Sequence, residues 1–263
     1  MNTRPSHHRP LLSIITVCYN AADTIRPTLE SVDRQELSDS RSDSYEHLII
    51  DGASTDGTLD IVADTKNPRR YIMSEPDGGI YLAMNKGLSQ AHGEYVMFLN
   101  AGDRLHGTNA LSRIMDAVGG IVLPGVIYGQ TDIVDKDGRR IGPRHLRAPK
   151  VLNLGSFKEG MVVCHQAFIA LTRIAEPFDT RFRFSADYDW CIRCLQHSRR
   201  NIYLGDEPII DYLSEGTTTR NRGASLKERF KIMSHYYGPV PTLIRHIGFV
   251  FRLLGARKGS PRN

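Results

Sequence analysis

Short apolar runs alternate with segments of helical hydrophobic spacing through the first hundred residues. The run Leu11–Cys18 is apolar and rich in β-branched residues, which is typical of a strand buried on both faces. After a polar break, Ile25, Leu29 and Val32 recur at helical spacing, and Asp23 is placed to cap the start of that helix. The chain is therefore predicted to open with a buried strand followed by an amphipathic helix.

The same alternation continues as far as residue 103. Further strands are predicted at Tyr45–Gly52, Arg69–Gly79 and Gly93–Asp103, each ending in glycine or an acid, and helices are predicted at Thr55–Thr65 and Ile80–Ala91. Strands that alternate with helices favour a parallel, doubly wound sheet with helices on its faces. The sequence thus predicts an α/β fold.

The rhythm changes after residue 103. Val126–Ile141 has the pattern of an antiparallel hairpin that turns at Asp137-Gly138. Arg181–His197 begins with a polar stretch and continues as a helix, and Asn201–Leu213 is predicted to form one or two strands. A small antiparallel portion is therefore expected beside the parallel sheet.

Composition supports a globular protein. Of the 263 residues, 40% are hydrophobic and 24% are charged, which suits a single α/β domain of ordinary size. Neither a leader peptide nor an 18-residue apolar run is apparent, so we expect no signal sequence and no spanning helix. Four cysteines in a chain this long favour reduced thiols in the cytosol over a disulfide framework. The pair Cys191 and Cys194 has zinc-ligand spacing, but it lies within a predicted helix without a second pair, which favours buried thiols.

Charge is distributed unevenly along the chain. From Thr217 onward there are ten lysines and arginines and one acid, Glu228, whereas the preceding residues carry a net charge of −4. This tail is also apolar at helical spacing, at Val240, Leu243, Ile244, Ile247, Val250, Phe251 and Leu254. A basic amphipathic helix on an anionic membrane accounts for both features, and docking of the apolar face on the protein's own domain is the alternative. Nothing in the tail supports nucleic-acid binding.

Polar groups follow four of the predicted strands. They are Asn20, Asp51, the loop from Glu75 to Gly79, and the pair Asn100 and Asp103. Such residues also form turns and helix caps, and Asp51 in isolation has either interpretation. Ligands in open parallel sheets bind beyond the carboxyl ends of the strands, however, so four polar strand ends at one edge favour a site.

Two common phosphate-binding motifs are missing from the sequence. No G-x-G-x-x-G follows the first strand, and no G-x-x-x-x-G-K-[ST] occurs. A divalent cation is the natural substitute, because it needs only one or two protein carboxylates when substrate phosphates complete its coordination.

Four motifs in order carry a family resemblance: SIITVCYNAADTIRPTLESV, HLIIDGASTDGT, EPDGGIYLAMNKG and GEYVMFLNAGD. Together they resemble glycosyltransferase family 2, whose members are inverting sugar-nucleotide transferases with a GT-A fold. CHQAFIA and FSADYDWCIRC are similar to acceptor-side segments of the bacterial, polysaccharide-assembling branch. The resemblance covers about Leu12 to Leu213. It implies a nucleotide-sugar half at about 11–104, an acceptor half at about 105–216 and a basic tail at 217–263.

The resemblance also implies roles for individual residues. Asp103 matches the last acid of the family's metal-binding motif, and Asp187 matches the catalytic base. His165 and Gln166 fall near the acceptor or the diphosphate, and Asp56 falls where it would order its loop rather than touch ligand. The residues expected in the nucleotide and donor site are Thr16, Asn20, Asp51, Asp77, Asn85, Lys86 and Asn100.

The implied reaction requires a positive charge near the leaving group and a negatively charged base near the acceptor. A bound Mn²⁺ or Mg²⁺ neutralises the leaving nucleoside diphosphate, while Asp187 takes the proton of an acceptor hydroxyl. Asp187 and Asp189 point about 200° apart on a helix, so we expect only one of them to face the site. Asn100 stands where relatives often carry an acid. One charged ligand should hold a metal weakly, which predicts metal binding coupled to donor binding.

The expected partners are a nucleotide-diphosphate sugar and a glycan or lipid-linked acceptor in cell-surface polysaccharide or glycolipid assembly. The expected location is the cytoplasm, at the inner face of the membrane. Two other functions are open to sequence reasoning: a sugar-nucleotide binding module without catalysis, and a nucleotidyltransferase that makes sugar nucleotides. Retention of Asp103 and Asp187 weighs against the first. The second usually begins with a glycine-rich loop, and Thr16–Thr24 has no glycine.

Overall fold

The computed structural model describes residues 9–214 and 222–247, which form nine strands and seven α-helices. The strands are β1 (Leu12–Cys18), β2 (Tyr45–Asp51), β3 (Arg70–Ser74), β4 (Tyr95–Phe98), β5 (Arg104–Leu105), β6 (Val126–Val134), β7 (Arg140–Pro143), β8 (Phe168–Leu171) and β9 (Asn201–Leu213). The helices are α1 (Ile25–Asp33), α2 (Thr58–Asp64), α3 (Ile80–Gln90), α4 (Ala110–Asp116), α5 (Ala186–His197), α6 (Arg222–Tyr237) and α7 (239–247).

All the main strands join one mixed sheet. Its order is β3-β2-β1-β4-β8-β6-β9-β5, with β7 paired to β6. The first four strands in this order are parallel, whereas β8 is antiparallel to both β4 and β6. In the parallel part, Cys18 aligns with Asp51 and Asp51 aligns with Ser74, so these strands end at a common edge. The predicted parallel sheet with an antiparallel portion is confirmed.

Helices cover both faces of the sheet and bury its apolar side chains. One face is closed by α1 and α2, where Ile25, Leu29 and Val62 pack with Ile49. The other and larger core includes Met84 of α3 and much of α5. Burial on both faces explains why every residue of β1 and of β2 is inaccessible to solvent. The two strands are therefore rigid supports for the loops that follow them.

The predicted elements occur in the predicted order, although β3 and β4 are shorter than the stretches predicted for them. The hairpin of β6 and β7 turns as predicted at Gly138, whose φ of 81° suits glycine. Asn201–Leu213 forms one strand rather than two. The predicted cap of α1 is wrong: Thr24, not Asp23, occupies the N-cap position, and it makes no side-chain cap hydrogen bond.

Helices α6 and α7 pack against the part of the domain that follows β4. The hydroxyl of Tyr236 donates to Asp189 Oδ1 at 2.8 Å, and Arg245 pairs with Glu159. Thr242 is buried, whereas four apolar side chains of α7 are exposed: Val240, Leu243, Ile244 and Ile247. The rest of the predicted amphipathic stretch, including Val250, Phe251 and Leu254, lies outside the described residues. Within the described ranges, no helix combines the length and apolarity that crossing a bilayer requires.

Candidate functional site

A cavity of about 490 Å³ opens at the carboxyl ends of β1 and β4, beside the first turn of α5. Three of the predicted acids, Asp77, Asp103 and Asp187, contribute to its wall. The other predicted residues on the wall are Asn20, Asn100, His165 and Gln166. Residues from before and after residue 104 therefore meet in one space.

Asp103 is held rigidly in the turn that follows β4. Its Oδ2 accepts from Gln166 Nε2 at 2.6 Å, and its Oδ1 accepts from the backbone N–H of Leu213 at 3.0 Å. Burial disfavours the charged carboxylate and raises the pKa of Asp103 to about 6, although these hydrogen bonds act in the opposite direction. A buried carboxylate with free lone pairs at a cavity wall is suited to holding a cation.

Glycine is required immediately before Asp103. Gly102 has a φ of 102°, and a Cβ there would lie 2.8 Å from the Leu213 side chain. Its backbone N–H donates to Thr28 Oγ1 at 2.9 Å. The turn is thus closed against both α1 and β9, which explains the small residue next to the acid.

Asn100 has an unsatisfied acceptor. Its Nδ2 lies 3.3 Å from His165 Nε2, but its buried Oδ1 has no hydrogen-bond partner. A buried amide oxygen without a donor costs free energy unless a ligand satisfies it. Together, Asn100 Oδ1 and the Asp103 carboxylate offer the hard oxygen ligands that Mg²⁺ and Mn²⁺ prefer. These residues fit a divalent cation whose remaining ligands come from a bound diphosphate, although the described residues include no cluster of three or more His, Cys, Asp or Glu side chains.

Asp187 begins α5 and points into the cavity. His165 Nδ1 lies 3.3 Å from its Oδ2, and Tyr81 donates its hydroxyl to Oδ1 at 3.1 Å. Burial alone would raise the pKa of Asp187, but the hydrogen bond and charge of His165, with a contribution from Arg229, outweigh it and lower the pKa. The carboxylate is therefore ionised near neutral pH and available as a proton acceptor.

Asp189 faces away from the cavity, as the helical geometry predicts. It accepts from Arg193 Nε at 2.8 Å and from the Tyr236 hydroxyl at 2.8 Å. It therefore fastens α6 to α5 and has no free approach to a substrate. Only one of the two acids, Asp187, faces the site.

The loops after β1 and β2 are tied to each other. Asn20 accepts from the backbone N–H of Thr55 at 3.0 Å, and its own N–H donates to Ser54 Oγ at 2.8 Å. Asp51 accepts from the hydroxyls of Ser54 and Ser74. Burial would raise the pKa of Asp51, but these hydrogen bonds outweigh it and leave the pKa below its usual value. Asp51 is 1% exposed and does not reach the cavity wall, whereas Asn20 does.

Asp56 orders its loop, as the resemblance implies. One carboxylate oxygen accepts from the N–H of Ala22 at 3.0 Å, and the other accepts from the N–H and hydroxyl of Thr58. Hydrogen bonds from Thr58 and Ala22 lower the pKa of Asp56. This residue connects the start of α2 to the loop before α1.

Three residues predicted for the donor site do not line the cavity. Thr16 is completely buried, with Oγ1 2.9 Å from His47 Nε2. Asn85 uses both ends of its amide on the backbone of Phe178, at 3.0 and 2.7 Å. Lys86 donates to Pro76 O and pairs with Glu75, both at 2.9 Å. These side chains support the strand, α3 and the loop beneath the cavity, and their role in donor binding stays a prediction.

Asp77 lies on the cavity wall, in the loop after β3. Its Oδ1 accepts from the N–H of Gly79 at 2.9 Å, and a Cβ on Gly52 would lie 2.7 Å from its Oδ2. A side chain at residue 52 would therefore force Asp77 to move, because the loop after β3 lies close to the end of β2. No pattern in the sequence predicts this close contact between Asp77 and Gly52.

Sequence reasoning missed Tyr81, Arg183 and Phe184, all on the cavity wall. Tyr81 occupies the first turn of α3, and its ring stacks on Phe178 at 5.6 Å. Burial, with a further contribution from Asp187, raises the pKa of Tyr81, so its hydroxyl stays protonated and donates. The position of Tyr81 directly after Asp77-Gly78-Gly79, in a predicted site loop, is the signal that could have singled it out.

Comparison with known proteins identifies the family. The sequence profile of "Glycosyl transferase family 2" matches residues 13–176 of the chain, from β1 to the segment after β8. The chain belongs to glycosyltransferase family 2. It is therefore an enzyme of the glycosyl-transferring class, as the motifs predict.

Two relatives of the chain are named for biosynthetic pathways. The chain is 32% identical over 194 residues to a "PGL/p-HBAD biosynthesis glycosyltransferase" of Mycobacterium bovis, covering 72% of this chain and 71% of the relative. It is 38% identical over 99 residues to the "putative teichuronic acid biosynthesis glycosyltransferase TuaG" of Bacillus subtilis, covering 36% of this chain and 37% of that one. These family 2 relatives are named for glycolipid and polysaccharide biosynthesis.

Solved structures of glycosyltransferases share the fold. The Staphylococcus aureus TarS fragment 1–349 aligns with a TM-score of 0.66 at 18% identity, covering 90% of this chain and 72% of TarS 1–349. The Pyrobaculum calidifontis mannosyltransferase PcManGT, solved with GDP-Man and Mn²⁺, aligns with a TM-score of 0.59 at 17% identity, covering 97% of this chain and 77% of PcManGT. The predicted GT-A fold is thereby confirmed for this family 2 enzyme.

Proposed function

We propose that this enzyme transfers a sugar, with inversion, from a nucleotide-diphosphate donor to a hydroxyl acceptor in the assembly of a surface polysaccharide or glycolipid. One observation carries the proposal: the buried Asp103 with Asn100 and the ionised Asp187 line the same cavity. The reaction needs a cation site for the leaving group and a base for the acceptor, and these residues supply the two chemistries. The names of the relatives support the pathway class.

The donor occupies the part of the cavity beneath the loops after β1, β3 and β4. Asn20 and Asp77 contact the nucleoside or the sugar, and Asp51 supports them through the loop that it orders. Asp103 and Asn100 Oδ1 hold the divalent cation together with the donor diphosphate. A bound Mn²⁺ or Mg²⁺ supplies positive charge that stabilises the departing diphosphate. Because the protein offers only one carboxylate there, cation and donor bind together.

Asp187 acts as the general base. It accepts the proton of the acceptor hydroxyl while the hydroxyl oxygen forms a bond to the anomeric carbon and the bond to the diphosphate breaks. The electron pair of that bond leaves with the nucleoside diphosphate. Attack from the face opposite the leaving group inverts the anomeric centre in one step. General-base assistance of this kind contributes about 10²–10⁴-fold.

Two neighbours set the base in place. His165 and Tyr81 each contact one oxygen of Asp187, so the carboxylate cannot rotate freely. Gln166, adjacent to His165, holds Asp103 from the other side. The short segment 165–166 thus bridges the base and the cation site, which explains why the acceptor-side motif of the sequence contains both residues.

The exposed face of α7 is proposed to lie on an anionic membrane at the cytoplasmic surface. Four apolar side chains face solvent there, and the tail from Thr217 onward carries ten basic residues. An apolar face with basic neighbours is the pattern of helices that lie in the headgroup region. That position would bring the cavity close to a lipid-linked acceptor.

The experiment that tests the function is a donor screen followed by analysis of the product. UDP, GDP and dTDP sugars are tested by thermal shift with Mn²⁺ and with EDTA, and turnover of the stabilising donor is followed by release of the nucleoside diphosphate. We expect stabilisation that requires Mn²⁺ and a product of inverted anomeric configuration by NMR. No stabilisation by any donor, or a product with retained configuration, would contradict the proposal.

A further inference from the structure

The cavity wall carries one unpaired cation. Among the residues that the structure describes, Arg183 is the single lysine or arginine on the wall, and its guanidinium forms no ion pair in those residues. Its Cζ lies 5.8 Å from the ring centre of Phe184, also on the wall. Three carboxylates line the same cavity, yet none neutralises this arginine. A free guanidinium beside an aromatic ring is suited to binding an oxyanion.

The backbone N–H groups of Arg183 and Phe184 are held by a hydrogen-bond acceptor on α6. One carboxylate, that of Glu228 on α6, accepts both the N–H of Arg183 at 2.9 Å and the N–H of Phe184 at 2.8 Å. The next residue, Ser185, pairs its buried hydroxyl with that of Ser225 at 3.0 Å. A charged acceptor bound by two adjacent backbone donors is a strong and directional contact. Arg183 therefore extends from an ordered corner although its own side chain is exposed.

Electrostatic balance indicates what binds there. The proposed cation site supplies one carboxylate, Asp103, and one neutral amide, Asn100. A phosphate-bearing substrate brings more negative charge than a cation held by these two groups offsets, and the cavity provides no other lysine or arginine among the described residues. We propose that Arg183 is an anion subsite for a phosphate group of a substrate, and that Glu228 is the positioning residue that presents it. The inference rests on the proposed function, and it explains the one acid in the basic tail.

The phosphate has two possible sources: the donor's diphosphate and a phosphate on the acceptor. The probes separate them. Calorimetry at pH 7.5, with Mn²⁺ and with EDTA, measures the affinity of each probe. The probes are UDP, GDP and dTDP, the nucleoside of each, and α-glucose 1-phosphate. The proteins are the full chain, Arg183→Gln and Arg183→Lys, the last of which keeps the charge.

We expect Arg183→Gln to weaken a phosphate probe by about tenfold, because a charge-assisted hydrogen bond contributes more than about 1.4 kcal/mol. Arg183→Lys should retain part of that affinity, and nucleosides should bind all proteins equally. A loss confined to nucleoside diphosphates assigns the donor, and a loss confined to α-glucose 1-phosphate assigns the acceptor. Unchanged affinity of Arg183→Gln for every phosphate probe overturns the inference and leaves the proposed function intact. Absence of binding of every probe to the full chain overturns both.

The role of Glu228 is tested by amide hydrogen exchange. Glu228→Gln keeps one acceptor oxygen but loses the charge and the second acceptor, so the amides of Arg183 and Phe184 should exchange faster. The affinity of Glu228→Gln for the phosphate probes should then fall towards the affinity measured for Arg183→Gln. The matched control is Glu159→Gln, which removes the carboxylate that pairs with Arg245 of α7. Unchanged exchange at residues 183 and 184 in Glu228→Gln would overturn the positioning role.

Discussion

His165 Nδ1 lies 3.3 Å from Asp187 Oδ2, although His165 precedes β8 and Asp187 lies in the first turn of α5. The opposite edge of the same imidazole lies 3.3 Å from the Asn100 amide. One ring therefore connects the proposed base to the residue beside the cation site. Changes at the imidazole should alter both the basicity of Asp187 and the engagement of the donor.

The first prediction concerns the base. Asp187→Asn keeps the size of the side chain and an oxygen that can accept from Tyr81, but it cannot take a proton. We expect kcat to fall by about 10²–10⁴-fold while donor affinity stays within a factor of two or so of the original. Steady-state kinetics and calorimetry with the donor measure the two quantities. The control is Asp189→Asn, which should lower thermal stability because Asp189 fastens α6; equal kcat losses in both variants would contradict the assignment.

The second prediction is a shift in the pH profile. A base must be ionised, so kcat falls as the pH drops through the pKa of Asp187. His165 lowers that pKa by its hydrogen bond and charge, whereas burial raises it. His165→Ala should remove the largest contributions that oppose burial, so the acid limb of kcat at saturating donor and Mn²⁺ should move upward by about one pH unit or more.

The matched variant for this prediction is His165→Asn, whose amide keeps a neutral donor near the position of Nδ1. We expect its acid limb to fall between those of the wild type and His165→Ala. An acid limb that does not move in His165→Ala would show that the imidazole does not control the basicity of Asp187.

The third prediction concerns the pH dependence of cation binding. Asp103 must be deprotonated to hold a cation, and its pKa is raised to about 6 by burial. Mn²⁺-dependent affinity for a sugar nucleotide should therefore be nearly constant above pH 7 and should fall about tenfold per unit below pH about 6. Sugar nucleotides are the right probe, because both phosphates of their diphosphate are esterified and carry no group that titrates near this pH.

Asp103→Asn provides the comparison. It is neutral at every pH, and the donors from Gln166 and Leu213 compete for its single oxygen. Its affinity for the donor in Mn²⁺ should be weak and independent of pH between 5 and 8, about as in EDTA. A steep pH dependence in Asp103→Asn would place the titrating group elsewhere.

The sequence specified the elements well because burial leaves a clear pattern. β1 and β2 are enclosed on both faces, so apolar residues predominate in them, and polar groups at their ends indicated the edge where the candidate site lies. The spacing of residues in the sequence does not distinguish residues that line the cavity wall from residues that lie just beneath it. Thr16 and Asn85 occupy site motifs, yet their polar atoms are satisfied by His47 and by the Phe178 backbone.

Long-range partners were the other limit. Tyr81 and Asp187 are 106 residues apart in sequence, and no local pattern predicts that one donates to the other. The same holds for Glu228 and the amides of Arg183 and Phe184, which pair across about 45 residues. Such contacts follow from how α3 and α6 pack against α5, and packing is a property of the assembled fold.

The fourth prediction separates support from binding at Asn85. The Asn85 amide holds both the N–H and the C=O of Phe178, which is 3% exposed. Asn85→Ala should lower the free energy of unfolding by about 2–3 kcal/mol, because both buried backbone groups lose their partners. Chemical denaturation measures this loss, and donor affinity at low temperature should be unchanged. If Asn85→Ala lost donor affinity but kept its stability, the result would show that Asn85 belongs to the donor site.

The fifth prediction concerns the surface of α7. Leu243→Glu and Ile244→Glu place a charge in the apolar face, where the parent side chains are 52% and 66% exposed. Sedimentation with vesicles of phosphatidylglycerol and phosphatidylcholine should fall several-fold, and the melting temperature should not change, because these side chains support no core. Binding by the wild type should weaken with salt, since the basic tail contributes electrostatic attraction.

Two comparisons make this test specific. Ile121→Glu alters an even more exposed isoleucine in the loop between α4 and β6, so it should leave vesicle binding unchanged. A chain ending at Gly238 keeps the contacts of Glu228 and Tyr236 with the domain, whereas an end near residue 219 would remove them and disturb the site. The chain ending at Gly238 should retain its fold and lose most vesicle binding. Binding as strong as that of the full chain would show that the apolar face of α7 has another partner.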